Sequence, residues 1–257
     1  MLSFFQDAIL VVITVAGALL FVTGVNLVWP WEKRRTHNDL IGWQLSILGT
    51  TYAVILGFML YAVWTDFQTA GANVEEEAGA LGNLYTIASS FPEPQRTQIQ
   101  KLARAYADAA INRDWPEMAT GVVPEGTFRL NDKMWHTMIV PQSSPQSPVM
   151  AQTALAQPAI SELSRLTEHR RIRLLQSQSR LPGVLWCVLL VGGSLTIVSS
   201  CMFGAESTRL HLLQVFAFSL LIALCLVAIA DIDRPFQGAI HVSDLAFQRA
   251  LQIMDEN

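Results

Sequence analysis

The sequence predicts an all-α integral membrane protein with four transmembrane helices. A helical extramembrane domain is expected between the second and third, and the second helix continues out of the bilayer as a long stalk. Three observations carry this. The chain of 257 residues is 51% hydrophobic and only 15% charged, too apolar for a water-soluble domain of that length. Four stretches contain no Asp, Glu, Lys or Arg: Ala8–Trp31, Leu40–Thr65, Leu181–Ala205 and Leu210–Ala230. Each exceeds the ~20 residues a helix needs to cross ~30 Å of hydrocarbon. The polar sequence between the second and third stretches shows helical spacing and no sustained strand alternation.

The first stretch reads as a span rather than a cleaved signal. The preceding MLSFFQD carries Asp7 and no Lys or Arg, and the apolar run is longer than a usual signal core. The expected division is residues 1–66 for the first two spans, 67–180 for the extramembrane domain, 181–231 for spans three and four, and 232–257 for a tail packed on that domain. A short basic loop, WPWEKRRTHND, joins spans one and two, and a shorter one near GAESTR joins three and four. Cys187, Cys201 and Cys225 all fall in expected spans, where a cysteine behaves as a small buried hydrophobe.

Span two is the informative element. Ala53, Gly57, Leu60, Trp64, Phe67, Gly71, Val74, Ala78, Leu81, Tyr85 and Ala88 recur at steps of three and four, the repeat of a helix with one continuous packing seam. No proline interrupts it, so one rod from about residue 42 to 89 is expected. Gly49, Ala53 and Gly57 form a ladder of small residues suited to close helix packing in lipid. The polar members Thr50, Thr51, Tyr61 and Thr65 either bond their own helix or face water. If span two lines a pathway, Thr50, Ala53, Gly57, Leu60, Trp64 and Phe67 are its candidate lining.

In the polar region Pro92 and Pro94 end one helix and start another with Ile99, Leu102, Tyr106 and Ala110 at helical spacing. Trp115–Pro116 marks a further break, GVVPEGT a turn, and NDKMWHTMIV a short helix. PQSSPQSP at 141–148 reads as a loop, and a last long helix runs from about 149 toward Pro182. The region holds 11 acidic and 11 basic residues. Glu75, Glu76 and Glu77 follow span two at about the distance by which Arg170, Arg171 and Arg173 precede span three. These clusters either pair as a salt-bridge ladder along the stalk or form rings of charge facing a vestibule.

His37, Asn38 and Asp39 stand where the second span begins, as an N-terminal cap or as the mouth of an ion path. Asp233, Arg234 and Pro235 stop the fourth helix, where an acid–arginine pair would anchor the tail to the stalk. Near the membrane ends, seven Lys and Arg residues on the polar-region side oppose four on the other. That asymmetry favours cytoplasmic placement of the polar region and both termini.

Catalysis has no sequence support. His37, His136, His169, His211 and His241 are scattered without metal-ligand spacing, and there is no phosphate-binding glycine loop or nucleophile elbow. No cofactor or metal is expected. The mild net charge of −4 and the lack of a basic stripe give no sign of nucleic-acid binding.

Five stretches occur in series: THNDLIG before span two, TYAVILGFMLYAVW within it, VEEEAGALGNLY beyond it, LPGVLW opening span three, and DRPFQG after span four. Together they resemble the bestrophin-like domain family of bacterial membrane proteins. The resemblance implies an inner-membrane homo-oligomer, a pentamer by analogy with bestrophin anion channels, whose second helix lines the pore. It further implies lipid, self and inorganic anions as partners. The bestrophin neck has its closest counterpart here in Leu60, Trp64 and Phe67. A counterpart to the bestrophin calcium clasp would have to come from Glu75, Glu76 and Glu77 with Asp231 and Asp233. The rival to a channel is a non-conducting scaffold or sensor whose stalk binds a partner.

Overall fold

The computed structural model describes residues 4–139 and 149–256, and the 141–148 stretch lies outside them. Among the described residues the fold is all helical. α1 spans Phe4–Val28, α2 Trp31–Arg35, α3 Asn38–Ala88, α4 Gln95–Ala109, α5 Trp115–Ala119, α6 Phe128–Ile139, α7 Val149–Gln178, α8 Gly183–Cys201, α9 Thr208–Ile232 and α10 Leu245–Glu256. A π-helical turn, Ala110–Asp114, joins α4 to α5. Four helices are long and apolar enough to cross a membrane: α1, α3, α8 and α9.

The chain divides into two compact units, Leu2–Thr65 with Arg180–Asp233, and Asp66–Ser179 with Arg234–Asn257. In the first, α1, α8 and α9 pack together around a small core of Ala18, Val22, Cys201 and Val215. Its outer surface is apolar, with Leu20, Leu27, Val28, Val184 and Leu210 well exposed, the expected state of a helix bundle whose solvent is lipid. The second unit has the interior of a water-exposed domain. Val74, Ala78, Leu81, Leu84 and Ala88 of α3 pack with Ile99, Ala103 and Tyr106, with Leu163 and Leu166 of α7, and with Phe247 and Met254 of α10.

α3 is a single helix of 51 residues, about 76 Å at ~1.5 Å per residue. Its first part belongs to one unit and its last part to the other. Pro92 and Pro94 act as read: α3 ends at Ala88 and α4 starts at Gln95. The sequence missed α2, which forms inside the basic loop, and α10, which lies in the tail.

Candidate functional site

Within the apolar unit α3 turns Tyr52, Leu56 and Val63 inward. The Tyr52 hydroxyl donates to the Leu189 carbonyl of α8 at 3.0 Å. Its ring rests on Gly192 and Gly193, where an added Cβ would lie 2.7 Å from the ring and 2.8 Å from the hydroxyl. The glycine pair is therefore a seat that only residues without a side chain can provide.

This corrects the register of the expected seam. Thr50, Ala53, Gly57 and Trp64 are exposed, Leu60 is half-buried, and Gly49 and Gly57 meet no other atom within 4 Å. The buried stripe runs one residue earlier, through Tyr52, Leu56, Val63 and Ala70, before it joins Val74, Ala78, Leu81, Tyr85 and Ala88. The pairs Tyr52/Ala53, Leu56/Gly57 and Val63/Trp64 are apolar on both members, so the sequence fits either register. The glycine seat decides between them. Phe67 packs against the core of the other unit. Thr65 donates its hydroxyl to the Tyr61 carbonyl at 2.9 Å.

Farther along α3 lies a buried ionic group. Glu77 accepts two hydrogen bonds from Arg173, at 2.7 and 3.1 Å, and one from the Tyr106 hydroxyl at 2.7 Å. Arg173 also donates to Asp114 Oδ2 at 3.0 Å, and the Thr127 hydroxyl donates to the same oxygen at 2.7 Å. Arg170 donates to the Thr127 hydroxyl oxygen at 2.8 Å. The Arg173 guanidinium lies 5.2 Å from the centre of the Trp115 ring. Glu77, Asp114 and Arg173 are fully buried, so Glu77 and Arg173 face no vestibule.

Burial pushes the Tyr106 phenol well above its ordinary value, and the Glu77 charge pushes it further. Burial alone would lower the Arg173 pKa, but the charge and hydrogen bonds of Glu77 outweigh it and hold the guanidinium above its usual value. Asp114 reaches this group because the π-helical turn inserts an extra residue ahead of Trp115, a device common at specialised sites.

Around this group the pairs are exposed. Glu76 pairs with Arg165 at 2.6 Å, Glu168 with Arg171 at 2.7 Å, and Glu75 approaches Arg249 at 3.8 Å. Hydrogen bonding from Arg171 holds the Glu168 carboxyl below its usual value.

At the helix ends the motif residues make contacts of several kinds. Asn38 does not cap α3; its amide exchanges two 2.8 Å hydrogen bonds with the backbone of Gly204, in the loop between α8 and α9. The reason is proximity: a Cβ on Gly204 would lie 2.6 Å from the Arg35 nitrogen, so that loop sits directly on α2, just ahead of α3. Asp39 is exposed in the first turn, favourable for the helix dipole. The His37 ring lies 6.3 Å from the Trp29 ring.

Asp233 accepts from the Leu181 backbone nitrogen at 2.9 Å, joining the end of α9 to the start of α8. The Arg234 carbonyl accepts from Gln237 and that of buried Pro235 from Val242. Arg34, in the basic loop, is fully buried. It donates to the Cys201 carbonyl at 3.1 Å and to the Asn26 side chain. No sequence signal set Arg34 or Asp114 apart from exposed neighbours. Among the described residues no group of three or more His, Cys, Asp or Glu side chains is placed to hold a metal ion.

Four long apolar helices, a lipid-type surface and a helical polar unit define an integral membrane protein. The profile of the Bestrophin-like domain matches residues 12–247, and the chain belongs to that family. A crystal structure titled as that of a membrane protein shares the fold, with a TM-score of 0.72 at 12% identity over 96% of this chain and 99% of that one. A search of curated proteins found no match.

Proposed function

We propose that the protein assembles through copies of itself into an ion channel, with anions as the permeant species and α3 lining the pathway. The observation that carries this is the uncovered face of α3. Thr50, Ala53, Gly57 and Trp64 are exposed in the single chain, and Gly49 and Gly57 face open space. A ladder of small residues offers lipid little to pack against, whereas a neighbouring helix can approach it closely. Family membership supports the same reading, since bestrophins are oligomeric anion channels, and a pentamer is the arrangement it suggests.

In this reading the unit containing Asp66–Ser179 stands outside the bilayer on the cytoplasmic side of the inner membrane, with both termini. The exposed Glu75 and Glu76 are its candidates for a charged vestibule. Chloride flux from liposomes carrying the purified protein is the direct test. Absence of flux at every voltage, pH and calcium level tried would overturn conduction. Leu60→Cys and Trp64→Cys, each in a Cys187→Ala background, should cross-link between subunits.

The scaffold reading keeps one specific support: the far half of α3 is already packed within its own chain by α4, α7 and α10. If cross-links at Leu60 and Trp64 fail to form while the chain remains folded, that reading takes precedence.

A further inference from the structure

A groove of about 720 Å³ runs along the apolar unit between α1 and the end of α8. Leu20, Phe21 and Val28 wall it on α1 and Val198 on α8, and no charged residue lines it. Leu20 and Val28 are well exposed, so it opens to lipid. Gly24 keeps it open, since a Cβ there would meet nothing within 4 Å. Trp29 and Met202 close one end, each standing just past the last residue of its helix, Val28 or Cys201. That end is at the headgroup level, where tryptophan rings settle. A groove walled by aliphatic side chains at membrane depth suits an acyl chain and excludes water.

Positive charge gathers behind that end. Arg34 donates to the Asn26 side chain and to the Cys201 carbonyl, and these residues adjoin the groove residues Val25 and Met202 in the chain. The guanidinium thus bridges the two helices that wall the groove, at the level where it ends. It is fully buried, and among the described residues no carboxylate pairs with it. Its Nε and the Asn26 Nδ2 are buried without a hydrogen-bond partner among those residues. The C-terminal dipole of α8 offsets about half a charge. The remainder acts over a long range in a low-dielectric setting, whereas the exposed carboxylates of Glu32 and Asp39 stand in screening water. Two accessible groups stand at the same end. The His37 ring lies 6.3 Å from that of Trp29. Lys33, four residues from each of them, is exposed and makes no ion pair among the described residues, while Arg35 is taken by Glu206 at 2.8 Å.

We infer that the groove binds one phospholipid with an anionic headgroup, its acyl chain lying along α1 and its phosphate meeting Lys33 and His37. Lys33 supplies the charged contact, as basic residues beside a span do for acidic lipids, and His37 supplies an N–H donor. Arg34, being buried, makes no contact and selects for negative charge through its field. The inference goes beyond the channel reading and holds whether or not the assembly conducts.

Native mass spectrometry of the detergent-solubilised full chain, titrated with dioleoylphosphatidylglycerol or dioleoylphosphatidylcholine, is the test. Phosphatidylglycerol should bind about tenfold more tightly, the scale of one hydrogen bond to a charged group. Gly24→Leu fills the groove where a side chain meets no protein atom. It should weaken phosphatidylglycerol binding about tenfold, the equivalent of roughly two methylenes left unburied. Gly17→Leu makes the same change on α1 outside the groove, also in open space, and should leave binding intact. Lys33→Gln combined with His37→Gln should remove most of the preference for phosphatidylglycerol and leave phosphatidylcholine binding unchanged. Equal affinity for the two lipids in the unaltered chain, an undiminished preference in the double variant, or equal losses in Gly24→Leu and Gly17→Leu would each overturn the site. So would a change of oligomer mass in Gly24→Leu alone, which would make the groove a contact between copies.

Discussion

Removing one partner from the Glu77–Arg173–Asp114 group strands a charge with no access to water. Arg173→Met leaves two buried carboxylates facing each other, and Glu77→Gln leaves Arg173 with half its compensation. A loss of about 3–5 kcal/mol is expected for Arg173→Met, measured by denaturant unfolding of the detergent-solubilised chain. The exposed Arg165→Ala should change stability by no more than ~1 kcal/mol. Tyr106 gives the group a pH signature. Its phenol is held protonated in the folded chain, while an unfolded tyrosine ionises near pH ~10. Below that pH both states keep the proton and stability is unaffected. Above it the unfolded chain is favoured, and stability falls. Tyr106→Phe should flatten that alkaline decline in unfolding curves recorded between about pH 9 and 11. At this scale the sequence was least legible. A glutamate triplet and a nearby arginine cluster were visible, but nothing marked Glu77 as buried and Glu75 and Glu76 as exposed. Asp114 owes its place to a π-helical turn that leaves no compositional trace.

Helix α3 was legible because both its apolar and its polar halves keep the same three-and-four spacing and contain no proline. The four charge-free stretches likewise located α1, α3, α8 and α9, since charge is what lipid excludes. Register was harder to read. Where neighbouring positions are both apolar, the packed face is chosen by the partner helix, here by Gly192 and Gly193 beneath Tyr52. Gly193→Ala should displace Tyr52 and break its bond to Leu189, at about 1–3 kcal/mol, detectable as a lower unfolding midpoint in detergent. Gly71→Pro should cost ~3 kcal/mol or more by removing a backbone hydrogen bond and clashing with the preceding turn. Normal assembly of that variant would show the unbroken helix to be dispensable. α10 escaped notice because its apolar positions Ala246, Phe247, Ala250 and Met254 occupy one short segment behind a Gly-containing turn.

Across the whole molecule, lipid and water compete for two kinds of surface, and the sequence separates them by charge alone. Orientation rests on the seven-to-four distribution of Lys and Arg, several of which are engaged in the fold. Arg173 and Arg34 are both buried, so neither is available to a membrane surface in the finished protein. Val122, about half exposed in the polar unit, offers a direct assay. Val122→Cys should resist a membrane-impermeant maleimide in right-side-out vesicles and react in inverted ones. The reverse pattern would place this unit outside the cell and invert the assignment of both termini.

The length of α3 without a joint has a consequence for the backbone. In a helix of 51 residues each interior amide is tied to the carbonyl one turn back, so a break at membrane depth would strand backbone groups that no water could satisfy.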